Sequence, residues 1–146
     1  MTPQATGLLI GGLIPALLFG LSGFFIKPAS QAGIGIGLYL VVIGISITLA
    51  GLMYFFVFPD KTLSLRSGVY SSLVGLTWAI AVALISFAVA QYGTPISKLV
   101  PLYNMNTIVA VFLGLFLLAE WKDMNTTKLL IGSLMVIAGG SLVATS

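Results

Sequence analysis

The side chains best suited to bind a polar molecule stand among apolar neighbours. Lys98, Tyr103, Asn104 and Asn106 lie in one stretch, and Trp78 lies in the middle of an earlier apolar run. An ammonium, a phenol, carboxamides and an indole recognise solutes through charge, hydrogen bonds and stacking on a ring or sugar face. This set lacks the paired carboxylates or imidazoles of acid–base catalysis. The pattern therefore indicates recognition of a solute rather than its chemical conversion.

The residue types that the sequence lacks exclude several classes of function. The 146-residue chain has no Cys and no His, and its three carboxylates, Asp60, Glu120 and Asp123, lie at or beyond the ends of apolar runs. Disulfide frameworks, thiolate zinc sites, Ser-His-Asp triads and ordinary haem ligation are thereby excluded. We expect neither an enzyme nor a metal or cofactor site. The net charge of +3 is scattered, so nucleic acid is not an expected partner.

The overall composition predicts a membrane protein. Apolar residues make up 59% of the chain and charged residues 6%, with a mean hydropathy of +1.17. A soluble domain carries about 25% charged residues. So few charges cannot cover a globule in water, but they can cap a bundle whose sides face lipid. We expect an all-α, polytopic integral membrane protein, with the lipid bilayer around a single membrane domain at 1–146.

Five apolar segments are each long enough to cross a bilayer, which takes about 20 residues per helix. The first has no charged n-region and no small-residue cleavage site, so we interpret it as a retained helix that stops at Lys27-Pro28. Short connections predict that sequential helices are antiparallel neighbours. Small residues at helical spacing in the first three segments predict close helix packing. The five segments span about 6–26, 33–58, 68–91, 96–119 and 128–144.

Two prolines fall inside predicted helices. Pro15 leaves the Gly11 carbonyl without its helical donor, and Pro101 does the same to Ser97. A freed carbonyl at membrane depth must be satisfied by protein or by a wet cavity. Each proline therefore marks either a kink used for packing or a hinge that lines a cavity.

The polar residues of the fourth segment do not share one face. Successive helical residues rotate by about 100°, so Lys98, Pro101 and Asn104 fan across one side, while Tyr103 and Asn106 point elsewhere. One asparagine is then expected to line a cavity and the other to clasp a neighbouring helix.

The roles of the individual polar residues stay open at this point. Lys98 either snorkels to the headgroups or sets a positive charge at a cavity mouth. Trp78 is too deep for an interfacial belt and either packs or borders a cavity. Our hypothesis is that four side chains border a solute path shaped by two prolines: Trp78, Lys98, Tyr103 and Asn104, with Pro15 and Pro101.

The order of several motifs resembles the EamA-like members of the drug/metabolite transporter superfamily. Phe19-Gly20 followed by Lys27 is similar to the Trp-Gly…Lys signature of the family's first helix, with Phe19 in place of the usual Trp. The fourth and fifth segments resemble the end of an EamA unit, although the stretch from Glu120 to Gly132 is longer than usual. The motifs there are Pro95-Ile96-Ser97, Pro101-Leu102, Glu120, Leu129-Leu130-Ile131-Gly132 and Ala138-Gly139-Gly140.

The resemblance implies a five-helix bundle equivalent to half of a ten-helix transporter. It implies transport of a small polar metabolite by alternating access, in a prokaryotic cell (inner) membrane. The first helix has no acidic residue, so the proton antiport of the four-helix small multidrug resistance relatives is not expected. Alternatives are a non-transporting subunit or assembly factor of a membrane complex, and a small drug-efflux protein.

A half-size unit is expected to need a partner that completes its cavity, either a second copy or a paired homologous half-unit. With five spans, four basic residues lie on the side of the N-terminus and two on the other, which favours a cytoplasmic N-terminus only weakly. An antiparallel homodimer, joined through the third and fourth helices, is therefore feasible. The two sets are Lys61, Arg66, Lys122 and Lys128, against Lys27 and Lys98.

Overall fold

The computed structural model describes residues 2–122 and 125–146, and it is all-helical over them, with 85% helix and no strand. Five of the described helices are long and apolar enough to cross a membrane, as a multi-pass integral membrane protein requires. The fourth is divided into α4a (Ile96–Tyr103) and α4b (Asn106–Leu117). The five are α1 (Pro3–Gln31), α2 (Ile36–Val57), α3 (Leu65–Tyr92), α4 (Ile96–Leu117) and α5 (Thr126–Thr145).

Helix α1 is longer than the sequence predicts and contains a wide π-helical turn. It begins at Pro3 under the Thr2 side-chain cap, and the π turn covers Leu9–Leu13, immediately before Pro15. The Pro15 ring crowds the carbonyl four residues back, and the wider turn gives that carbonyl room. The expected stop at Lys27-Pro28 is wrong, because one missing N–H does not end the helix. It ends where Gly33 adopts a left-handed conformation, with φ +81°.

Capping residues define both ends of α3. Ser64 and Ser67 form a reciprocal capping box at the start of α3, which satisfies otherwise unpaired N–H groups. Gly93, with φ +60°, ends the same helix in the left-handed region. These signals extend α3 by a few residues beyond the predicted 68–91.

The last two helices are joined through a short 3₁₀ turn at Glu120–Lys122. Ala119 precedes that turn with φ +56°, an uncommon conformation for a residue with a β-carbon. Helix α5 begins at Thr126 because the Asn125 side chain accepts a hydrogen bond from the Lys128 N–H at 3.0 Å. Asp123 lies outside the described residues.

The helices fall into two compact units. One comprises Met1–Gly23 with Thr94–Ser146, and the other comprises Phe24–Gly93. Within the first, α5 packs on both halves of α4, and within the second α2 contacts α3. The single membrane domain of the sequence analysis stays a prediction.

Most large apolar side chains are exposed, as a lipid-facing surface requires. The expected small-residue seams pack only in part. A β-carbon added at Gly12, Gly37, Gly44 or Gly51 would meet nothing within 4 Å in the described chain, whereas Gly23 is in close contact. Buried apolar side chains in the described residues are Ile26, Tyr39, Val82, Val89 and Leu115.

Candidate functional site

The fourth helix is interrupted near its middle by a change in backbone hydrogen bonding. The Met105 N–H donates to Leu102 at 3.2 Å and the Thr107 N–H donates to Asn104 at 3.1 Å. These bonds reach three residues back instead of four, which tightens the chain and offsets α4a from α4b. Pro101 contributes to the break because it has no N–H to offer Ser97 and disfavours a regular helix around it.

The break releases the Pro101 carbonyl, and α5 packs directly against it. Because the Met105 N–H bonds to Leu102, the Pro101 oxygen loses its usual donor four residues later. A β-carbon on Gly140 of α5 would lie 2.8 Å from that oxygen and 3.2 Å from the Met105 Cγ. Gly140 is buried. Only a residue without a side chain permits this close approach of α5 to the break.

A second glycine, Gly23 of α1, packs closely against the other side of α4a. A β-carbon on Gly23 of α1 would lie 3.2 Å from Val100 Cγ2 and 3.4 Å from the Tyr103 hydroxyl oxygen. The Tyr103 hydroxyl therefore lies against α1. Glycines on two different helices thus fix α4a on two of its sides.

The two asparagines beside the break are both exposed. Within the part of the chain that the structure describes, neither side-chain amide makes a hydrogen bond, in contrast to the Asn125 amide. With about 100° per residue, Asn104 lies in the sector between the Gly23 and Gly140 contacts. Asn106 lies on the other side of the helix. The separate roles expected for the two amides are compatible with this placement and stay a prediction.

The charged residues of this unit lie toward the ends of its helices. Lys98 is half-buried in the first turn of α4a. Glu120 turns back over α4b, where a β-carbon on the buried Gly114 would lie 2.8 Å from Glu120 Oε2. The left-handed Ala119 makes this return of the chain sterically feasible.

Trp78 lies in the other unit and lines a small hollow between α2 and α3. The hollow has a volume of about 230 Å³. It exists because Gly44 and Gly75 face it without side chains, and its remaining walls are apolar. The other walls are formed by Leu40, Ile43, Ile47 and Ala79.

A larger groove of about 670 Å³ runs along the start of α3, but both of its polar side chains already form hydrogen bonds within the helix. Its lining is leucine-rich, and its two serines are already engaged. Ser64 caps α3, and Ser72 donates to the Gly68 carbonyl at 2.9 Å. We assign it no role in recognising a polar solute.

The predicted site residues are therefore only partly grouped. Lys98, Pro101, Tyr103 and Asn104 lie together on α4a and its end, and the half-buried Pro15 belongs to the same unit. Trp78 belongs to the other unit, so its place on a shared path stays a prediction. Clusters of three or more potential metal-ligating residues do not occur among the described residues.

The small-residue pattern of the first segment includes Gly23 among its packing residues, but it does not show that Gly23 and Gly140 both pack against α4a. Gly140 stands in the Ala138-Gly139-Gly140 motif, but the motif does not tell which glycine faces a neighbour. That distinction needs the rotation of α5 relative to α4.

No protein-family model, curated protein sequence or solved structure matches this chain. The resemblance to EamA-like transporters accordingly stays a prediction.

Proposed function

We propose that the chain is an integral membrane transporter of a small polar metabolite, which works by alternating access as a dimer of five-helix units. The observation that carries this proposal is the break in α4 beside Asn104. At this point a candidate membrane helix is interrupted near its middle and exposes a carboxamide that has no hydrogen-bond partner among the described residues.

A static membrane anchor has little use for such a break. Non-helical backbone at membrane depth is tolerated where protein buries it or where it lines a water-filled cavity. Interrupted helices near the bilayer midplane form the solute sites of many secondary transporters. The glycine contacts at Gly23 and Gly140 support the proposal, because close packing of small residues lets neighbouring helices cover the broken backbone at membrane depth.

A partner is part of the proposal. An amide facing hydrocarbon costs several kcal/mol, on the order of 2–7, if it stays unpaired. A second copy, or a homologous half-unit, that packs on the fourth helix removes that exposure for Asn106, which lies on the side of the helix opposite Asn104. We propose a homodimer in a prokaryotic inner membrane with the two copies antiparallel, an arrangement that the weak four-to-two bias of the basic residues permits.

Asn104→Ala should lower the transport rate about 10-fold or more, because it removes the unpaired amide beside the break. The measurement is uptake of a panel of radiolabelled polar metabolites into proteoliposomes. The panel contains sugars, amino acids and nucleosides.

Trp78→Leu should also lower uptake of the same solute, because we propose that the hollow between α2 and α3, which Trp78 lines, belongs to the solute path.

The matched control is Thr48→Val. Thr48 is also a polar residue in the middle of a candidate span, but its hydroxyl is satisfied by the Gly44 carbonyl at 2.8 Å. Its loss should leave uptake unchanged. Normal uptake by Asn104→Ala and Trp78→Leu would assign both residues to packing. Uptake of no panel solute by the wild type would contradict the transporter, and loss of a membrane complex in a deletion strain would favour an assembly factor.

C-terminal reporter fusions should reveal both orientations of the chain. We expect activity from a reporter that works only in the cytosol and also from one that works only outside. The reason is the small four-to-two difference in basic residues between the two sides. Activity of a single reporter would contradict the antiparallel pair, and chains that then still cross-link would form a parallel dimer.

A further inference from the structure

We infer that Asn106 is the centre of a self-association surface on α4b, at which two copies of the chain pair their Asn106 carboxamides. This inference rests on the proposed homodimer and identifies the residue that holds it together. The surface, called here the Asn106 face, consists of Asn106, Val109, Leu113 and Leu117.

The Asn106 face is continuous and lacks a partner within its own unit. Its spacing of three, four and four residues keeps every member within about 60° of Asn106 around the helix. Val109, Leu113 and Leu117 are 57%, 46% and 76% exposed, and Asn106 is exposed as well. This is the apolar spacing through which helices pair along a seam.

The single polar group on the Asn106 face, the Asn106 carboxamide, determines which partner can cover this face favourably. Lipid tails offer no hydrogen-bond partner, so the amide stays unsatisfied when the face is covered by lipid. A carboxamide carries both a donor and an acceptor. Two copies related by a twofold axis therefore satisfy each other with this one residue, and a second copy is the occupant that we assign.

Because of its position along the helix, Asn106 can pair with its counterpart whether the two helices run parallel or antiparallel. It is the eleventh residue of the 22-residue span Ile96–Leu117, and it therefore lies near the midplane. The midpoint of a helix meets its own counterpart in a parallel and in an antiparallel pair. The proposed antiparallel dimer can thus use the Asn106 pair, whereas a polar residue nearer either end could not meet itself.

Asn106→Leu should weaken self-association about 5- to 30-fold, the range expected for loss of one interhelical amide pair in a membrane. The measurement is energy transfer between differently labelled copies in liposomes, at decreasing ratios of protein to lipid. Because the chain has no Cys, Ser146→Cys supplies one unique labelling position. Asn106→Gln, which keeps a carboxamide, should retain most of the association.

Asn104→Leu is the matched control, since it removes an exposed amide two residues away that lies off the Asn106 face. It should leave association unchanged. Equal weakening by Asn104→Leu and Asn106→Leu would overturn the inference, and so would a wild type that stays monomeric at every ratio. The assay needs no solute, so failure of this interface and failure of transport are separate results.

Single cysteines then test the geometry. Because Asn106→Cys removes the amide pair, this variant is tested at a high ratio of protein to lipid, where it should form a disulfide between copies. Leu134→Cys, which is also exposed near the middle of its helix, should not. Leu113→Cys distinguishes the two directions. In an antiparallel pair its two copies lie about 21 Å apart along the axis, at 1.5 Å per residue, and in a parallel pair they adjoin. Cross-linking at Leu134 in preference to Asn106 would place the interface elsewhere and overturn the inference.

Discussion

Gly140→Ala should destabilise the protein by about 1–3 kcal/mol, the usual cost of inserting a methyl group into a filled space. The new β-carbon would lie 2.8 Å from the Pro101 carbonyl oxygen. That oxygen belongs to the backbone and cannot rotate away, so α5 or the break in α4 has to move. The measurement is the midpoint of thermal unfolding in detergent, which we expect to fall by several degrees.

Gly139→Ala provides the control on the same helix. A β-carbon at Gly139 meets nothing within 4 Å, so this variant keeps the contact and gains the helix propensity of alanine, up to about 1 kcal/mol. Its midpoint should be unchanged or higher. Equal midpoints of thermal unfolding for Gly140→Ala and Gly139→Ala would show that α5 does not pack against the Pro101 carbonyl.

Pro101→Ala should make α4 a more regular helix and abolish most of the transport activity. The new N–H can donate to Ser97, and the roughly 3 kcal/mol penalty of a proline inside a helix disappears. We expect the Met105 N–H to return to the carbonyl at position 101, which closes the break. Amide hydrogen exchange at Met105 should slow, while uptake falls about 10-fold or more.

Pro28→Ala separates the effect of the break from a general effect of removing proline. Pro28 also lies within a helix, but near the end of α1 and in the other unit. It should stabilise α1 without changing uptake. Slower exchange at Met105 together with normal uptake in Pro101→Ala would make the break a packing feature and not part of the transport path.

Much of the architecture could be predicted because hydropathy alone determines it. Five apolar runs of sufficient length lead to five helices, and the predicted positions match them to within a few residues at most ends. The largest difference is at the end of α1, where Gly33 and not Pro28 stops the helix. A proline removes one donor, but a glycine in the left-handed region changes the direction of the chain.

The candidate site was less predictable. The sequence indicates that Pro101 frees a carbonyl, but a one-dimensional pattern does not show that the break falls at Asn104 and Met105. It also does not distinguish Gly140 from Gly139, or Gly23 from Gly20. Those choices depend on the rotation of each helix about its axis, which is set by tertiary contacts between helices far apart in sequence.

The unequal lengths of α2 and α3 make the thickness of the surrounding membrane relevant to this protein. At 1.5 Å per residue, the 28 residues of α3 extend about 42 Å and the 22 residues of α2 about 33 Å. A hydrocarbon layer of about 30 Å, or about 40–45 Å with its headgroups, accommodates α2 nearly upright. An upright α3 instead places its ends, at Arg66 and Gln91, in the headgroup layers, and tilting the helix draws them toward the hydrocarbon. Thicker or thinner bilayers should therefore change the tilt of α3 more than that of α2. We expect lipid composition to be a further variable that affects the packing of α2 on α3.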